Sequence, residues 1–334
     1  MSFDIYVPTR EKRLLSWDGP GPEMGVEGWY RFVLKNRDGS VARDTGWFKN
    51  LITNVGMTRI VRYDEIGMSW GQYLAIGNGT GTPAFTDTAL SGTQLGARKT
   101  TEGGSIDGFT ATYYWHRRTH RWPTGEGTGT ISEVAFFSAA TGGEMFSHAL
   151  LVDSGGSPTS IVKGADQSLD VYYELRNYPN LVDASGTIDV SGVSYDYVLR
   201  PFGLFDWFTN PWKVNTVEDI STSGNSHYAY NNQGLIAIST ITTTGTALGF
   251  GATLGLTYEK YTGPLPDYNT GPYYTNNYIE ANIDHWIGEI DWVRSYAGNT
   301  AWQFTLEKTV GGGGLVKTDE ERLRLHIRLT AGRH

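Results

Sequence analysis

YLAIGNGTGTPAFTDTAL, residues Tyr73 to Leu90, decides how the rest of the chain is read. It begins as an apolar strand, turns into glycine and threonine, passes Pro83 and ends in small polar residues before Leu90. Nearly every side chain beyond the strand carries a donor or acceptor, so the loop is suited to being fixed by its own hydrogen bonds. Asn78 and Gly79 suit turns with positive φ, Pro83 fixes φ, and Thr86, Asp87 and Thr88 can bond to nearby backbone amides. The expectation is an ordered structural loop built on Ile76, Gly77, Gly79, Thr80, Pro83, Asp87 and Thr88. Gly77 to Gly81 also invites a phosphate-loop reading, but no Lys-Ser/Thr pair accompanies it and no helix starts immediately after it.

The composition around this loop is that of an all-β protein. Gly (43), Tyr (20) and Trp (11) are plentiful while charged residues make up only 19% of the 334, which favours pleated sheets joined by glycine turns. The length suits two domains. A net charge of −8 gives a field that repels phosphate backbones and anionic lipid, so nucleic acid is not an expected partner. The absence of cysteine excludes disulfides, thiolate metal sites and cysteine nucleophiles together. From Gly234 to Tyr258 the chain is uncharged for longer than a bilayer span, yet its five glycines and many threonines fit two strands about a turn and not a membrane helix.

Taken in order, residues 1–25 mix Pro8, Pro20 and Pro22 with glycines and read as an extended N-terminal arm. Phe3, Ile5, Tyr6, Leu14, Leu15 and Trp17 are its apolar anchors, and Trp17 is a candidate interface residue. A first β-rich domain spans 26–178. It opens with a hairpin, Gly28 to Leu34 and Val41 to Trp47 about Arg37-Asp38-Gly39-Ser40. One short helix follows in KNLITNVGMTRIVRY, capped by Asn50 or Thr53, with Val55, Ile60 and Val61 at helical spacing. Thr130 to Phe137 and Met145 to Leu151 read as paired strands, and Ser168 to Leu175 as another. Two β-sandwich-like domains are expected, the second spanning 186–334. It closes on a strand in which Leu323, Leu325, Ile327 and Leu329 alternate with Arg322, Arg324, His326 and Arg328. Those four cationic positions are either a solvated face or a subunit interface.

No catalytic motif emerges. His116 and His120 have metal-ligand spacing only on a helix, and their surroundings are β-branched and aromatic. Asp284, Glu289 and Asp291 beside Trp286 and Trp292 have the residue types of a sugar site, but acids in IEANIDHWIGEIDWV also punctuate a strand pair. A hard-ion site at Asp87 or Asp107 needs several convergent oxygens that the sequence does not supply. No cofactor and no enzymatic activity are expected. The abundant Trp and Tyr in a chain low in Leu favour burial between subunits.

Four stretches carry a resemblance. They are Asn50-Leu51-Ile52-Thr53-Asn54-x-Gly56; then Ile76-Gly77-x-Gly79-Thr80, Pro83 and Asp87-Thr88-x-Leu90; then FTATYYW, Phe109 to Trp115; then Gly129-x-Ile131-Ser132-Glu133-Val134 with Phe137 and Ala139. In this order they resemble a module of bacteriophage tail and tail-fibre proteins, over about residues 28–176. The resemblance implies a virion structural protein, made in the host cytoplasm, that forms a symmetric homo-oligomer with other tail proteins as partners and a host receptor or glycan as a further one. It implies no catalytic residues. The fibre, receptor-binding, sheath, collar and baseplate roles all stay open. A glycan-degrading tailspike and a carbohydrate-binding module are the alternatives.

Overall fold

The computed structural model describes residues 13–15, 23–61, 71–110, 112–180, 182–190, 192–204, 236–239, 256–257, 273–281, 288–290, 292–297, 300–317 and 321–334. Its first strands are β1 (Arg13–Leu15), β2 (Glu23–Lys35), β3 (Val41–Asp44), β4 (Phe48–Lys49) and β5 (Leu51–Ile52). After the single described helix, α1 (Asn54–Val61), come β6 (Tyr73–Gly77), β7 (Ser105–Phe109), β8 (Tyr114–Trp122), β9 (Gly129–Ile131) and β10 (Glu133–Phe137). Then follow β11 (Met145–Leu150), β12 (Ile161–Lys163), β13 (Ser168–Pro179), β14 (Ala184–Val190) and β15 (Val193–Leu204). The rest are β16 (Ile236–Ser239), β17 (Leu256–Thr257), β18 (Tyr273–Ala281), β19 (Gly288–Ile290), β20 (Trp292–Ala297), β21 (Thr300–Lys308), β22 (Leu315–Lys317) and β23 (Glu321–Arg333). The protein is all-β, with one short helix among the described residues, in keeping with its composition.

A ten-stranded sheet runs β17-β18-β23-β2-β13-β8-β7, with β1 on β23 and β3 and β4 on β2. A four-stranded sheet, β5-β11-β10-β6, packs against it. Tyr30, Phe32, Val171, Tyr173 and Leu175 of the large sheet meet Leu74, Ile76, Val134, Phe136 and Phe146 of the small one in a single buried cluster. Phe136 lies 4.7 Å from Tyr173, centroid to centroid. Successive side chains of a strand point to opposite faces, so one face of each sheet supplies this core. A third sheet, β14-β15-β21-β20-β16, and the pairs β9–β12 and β19–β22 complete the described strands.

The expected hairpin forms, with β2 antiparallel to β3. The helix forms as well, and Thr53 is its cap: its Oγ1 accepts from Gly56 N at 2.9 Å and donates to Met145 O at 2.6 Å. Asn50 instead lies inside, beside Gly28, where an added Cβ would fall 2.3 Å from its Oδ1. Gly56 is required by proximity, since a Cβ there would fall 2.1 Å from Phe146 O. Of the run from Gly234 to Tyr258, expected to form two strands about a turn, only Ile236–Ser239 and Leu256–Thr257 lie among the described residues. Ile236–Ser239 pairs with β20, and Leu256–Thr257 with β18.

The last strand joins the ten-stranded sheet beside β2. β23 runs parallel to β2, Glu23 to Val26 against Thr330 to Arg333, and antiparallel to β18. Parallel neighbours need a long connection, so local sequence carries no sign of this pairing.

Candidate functional site

The small sheet has two covered faces. Its inner face meets the core; its outer face presents Ala75, Ala135, Phe137 and Met145, with Leu90 of the opening loop packed on them. Glu133 and His148 occupy this same outer face. Glu133 stands opposite Gly77 on one side and Leu150 on the other, while His148 stands opposite Ala135. The two side chains are therefore diagonal neighbours across β10 and β11, within reach of each other and of anything laid over the sheet.

What lies over them is the segment 78–93. Glu133 is fully buried, and its carboxylate gathers the segment's amides. Oε1 accepts from Gly79 N at 2.9 Å and Gly92 N at 2.8 Å. Oε2 accepts from Ser91 N and Ser91 Oγ, both at 2.8 Å, and from His148 Nε2 at 3.1 Å. Ser132 Oγ adds a bond to Gly79 O at 2.7 Å. Burial alone would raise the Glu133 pKa; the bonds from Ser91, Gly92 and His148 outweigh it and hold the carboxyl below its ordinary range. The charge is thus favoured by its site more than by water.

This geometry corrects the reason for Gly79. Its φ is not among the positive ones. The glycine is needed because Gly79 and Gly92 stand back to back over one carboxylate: a Cβ on Gly79 would lie 2.1 Å from Ser91 Oγ and 2.4 Å from both Glu133 Oε1 and Gly92 N. Ile76 and Gly77 are buried in β6, as a strand leading into a fixed loop requires. Thr80 and Thr88 are exposed and Pro83 is half-buried. Asp87 does bond to backbone, as expected, through Ala84 N at 2.8 Å.

Asp87 has a second partner that the sequence did not suggest. Its Oδ2 accepts from His148 Nδ1 at 2.7 Å. The imidazole therefore bridges two carboxylates, Asp87 from the loop and Glu133 from the sheet. At the tip, Asn54 N donates to Phe85 O at 2.8 Å, and the Arg333 guanidinium lies 4.1 Å from the Phe85 ring centroid. Arg333 also donates to Ile52 O at 2.9 Å and Asn54 Oδ1 at 2.8 Å. The loop is held at its base by Glu133, at its middle by His148 and at its tip by the helix start and the last strand.

The set Ser91, His148 and Asp87 contains the residue types of a hydrolase triad, but the bonding order is wrong for one. His148 Nε2 faces Glu133 and not the Ser91 hydroxyl, which itself donates to Glu133. The imidazole does not touch the Ser91 hydroxyl, so the three side chains lack the Ser–His–Asp bonding order by which a triad activates its nucleophile. Nor do the three side chains converge on one point, because the ring nitrogens face in opposite directions. No group of three His, Cys, Asp or Glu residues among the described residues is arranged to hold a metal ion.

The other sequence candidates fall elsewhere. His116 and His120 are both buried on β8, where four residues span about 13 Å along a strand, too far for one ion. His120 Nδ1 donates to Lys99 O at 2.9 Å, and burial lowers its pKa to about 4. Arg322, Arg324, His326 and Arg328 occupy alternate positions of β23, with Arg324 in register opposite Glu280 of β18. Glu289 lies in β19, opposite Val316. Trp17, Asp284 and Asp291 lie outside the described residues, as does most of the arm.

One further surface joins ion pairs to rings. On the outer face of the large sheet, Arg117 pairs with Glu174 and stacks between Trp115 and Trp47, at 4.5 and 4.8 Å. Arg176 pairs with the same Glu174 and covers Trp29 at 4.3 Å and Tyr113 at 5.0 Å. Asp170, almost wholly buried, takes Arg121 at 2.6 Å and Lys35 at 2.7 Å. Burial would raise its pKa, but those two cations lower it.

No family model, no curated protein and no solved structure matches the chain. No helix among the described residues is long and apolar enough to cross a membrane.

Proposed function

We propose that the chain is a structural component of a bacteriophage tail, acting by geometry within a symmetric homo-oligomer and alongside other tail proteins. The observation that carries this reading is spatial. Three of the four stretches bearing the resemblance, far apart in sequence, meet in one hydrogen-bonded unit: Thr53 caps the helix, Asn54 holds Phe85, Asp87 reaches His148, and Glu133 gathers Gly79, Ser91 and Gly92. Thr53, Gly79, Asp87 and Glu133, which help to define the module, build its frame. Its buried carboxylates are also consumed internally, Glu133 by the loop and Asp170 and Glu174 by cations. This is the economy of a part that must keep its shape under load.

The outer face of the large sheet supports the partner half of the proposal. Arginines held by ion pairs and flanked by Trp29, Trp47, Trp115 and Tyr113 are pre-organised, and Arg, Trp and Tyr are the residues that carry most interface energy. The same row of rings favours one second reading, a carbohydrate-binding role at the host surface. Light scattering on the purified full chain, followed by pull-down with the other tail proteins and with host cells, tests both. A defined oligomer that captures tail proteins is expected. A concentration-independent monomer that binds or cleaves host glycan overturns the assembly reading.

A further inference from the structure

His148 is 1% exposed, yet both its ring nitrogens face acceptors, Asp87 at 2.7 Å and Glu133 at 3.1 Å. Carboxylates accept and do not donate, so the two contacts are satisfied together only by a ring bearing both N–H groups. A ring with one N–H leaves a lone pair aimed at a carboxylate on one side. Which side gives way is set by the surroundings. Glu133 is buried, and water cannot replace a lost donor there. Asp87 has a quarter of its side chain exposed and can be rehydrated where it stands.

We propose that His148 is a proton-controlled pin for the 78–93 loop: the doubly protonated ring ties Asp87 to the Glu133 anchor, and loss of one ring proton releases Asp87 while the anchor stays closed. The consequence is local. Asp87 closes the turn at the loop tip, accepting from Ala84 N at 2.8 Å and donating its own N–H to Ala84 O at 3.1 Å. Between them sits Phe85, 47% exposed, whose ring lies under Arg333. Release of Asp87 therefore frees the one large apolar side chain the loop presents, at the point where the loop meets the helix start and β23.

The neighbouring elements bring few other charges to the ring. From β10 it is faced by Glu133 and from the loop by Asp87. β5 contributes Leu51 and Ile52. The titratable group of α1, Arg59, is held by Glu144 just ahead of β11. Arg333, at the loop tip, is engaged by Ile52 O, Asn54 and the Phe85 ring. The pin is thus governed by the two carboxylates that touch it.

Nitrogen-detected NMR of the histidine rings in the full chain, paired with hydrogen exchange across a pH series, tests this. Two ring N–H signals are expected for His148 at the acid side and only the Nε2–H signal at the alkaline side. Over the same step, the protection factor of the Ala84 amide should fall about tenfold, the scale of one charge-assisted hydrogen bond, while those of Gly79 and Gly92 hold. His148→Gln should abolish the step. Asp87→Asn, at the more exposed partner, provides a second variant, in which Ala84 exchanges independently of the ring's charge. A ring that keeps one protonation state throughout, or Ala84 protection unchanged across the His148 titration, overturns the proposal.

Discussion

Replacing Glu133 by Gln tests whether one carboxylate holds the loop. The amide keeps the shape and loses the charge. Its oxygen can still accept from Gly79 N and Gly92 N, but its NH2 group would face Ser91 N–H, donor against donor, at a site where the carboxylate accepts at 2.8 Å. Hydrogen bonds to a charged group are worth about 1.5–3 kcal/mol and a buried unpaired donor costs about 1–3 kcal/mol. Against this stands the relief of no longer burying a charge. The direction of the pKa decides the balance: the carboxyl is held below its ordinary range, so the bonds exceed the burial penalty. A net loss of about 3–5 kcal/mol follows, the usual size for breaking a buried charge cluster. With a denaturation slope of about 2–3 kcal/mol/M, the urea midpoint of the unit should fall by about 1–2 M. Tryptophan fluorescence reads the midpoint, and hydrogen exchange at Gly79, Ser91 and Gly92 reads the loop. A midpoint shift under about 0.2 M with those amides still protected would refute the reasoning, since surface changes alone reach about 0.5 kcal/mol.

Gly79→Ala should destabilise by about 2–4 kcal/mol, because the methyl overpacks the Gly79–Gly92 contact and displaces an amide from Glu133; Thr80→Ala, on an exposed neighbour, should stay within about 0.5 kcal/mol by the same denaturation assay. Thr53→Ala removes both a cap and the buried bond to Met145 O, and a thermal melt should show about 2 kcal/mol lost. His120 has a folded pKa of about 4 against 6.5 for the free ring, so the unfolded chain binds its proton first as pH falls. Its contribution is complete above pH 6.5 and is lost between there and pH 4, about 3 kcal/mol in all, which His120→Leu should remove from a stability profile over that window. Glu133 and Asp170 act lower on the scale: their depressed pKa values give stability present above the ordinary carboxylate range and lost as pH falls through the folded values.

The local part of this fold was legible because its causes are local. The hairpin turn at Arg37 to Ser40 and the Thr53 cap each depend on neighbours within a few residues. The site was half legible. The loop's richness in donors pointed to a self-bonded segment, and Asp87 does bond Ala84 N. Yet the acceptor that organises it comes from Glu133, over forty residues later, and the pin from His148 later still. The turn residues Gly79 and Asn78 suggested positive φ, whereas the structure uses Gly79 for close approach.

A signal for both missed residues was nevertheless present. Glu133 and His148 are single titratable residues inside otherwise apolar strands, ISEVAFF and MFSHALL, where burial of an unpaired charge would cost far more than one hydrogen bond returns. Such a residue must have partners. The sequence cannot name them, because the choice depends on sheet order: only when β10 lies between β6 and β11 do Gly77, Glu133 and His148 share one face. That order also dictates what the loop must be. A segment leaving the end of β6 has to cross an outer face that already carries a carboxylate and an imidazole. Its glycines, its Ser91 and its Asp87 are the complement of that face. Thr88, which the loop's composition ranked beside Asp87, meets no such requirement and is exposed, so Thr88→Ala should leave the midpoint within about 0.5 kcal/mol while Asp87→Ala should cost about 2 kcal/mol, the loss of two hydrogen bonds from one carboxylate. Equal effects of the two changes in the same denaturation assay would show that the loop is held by its own sequence and not by the face beneath it.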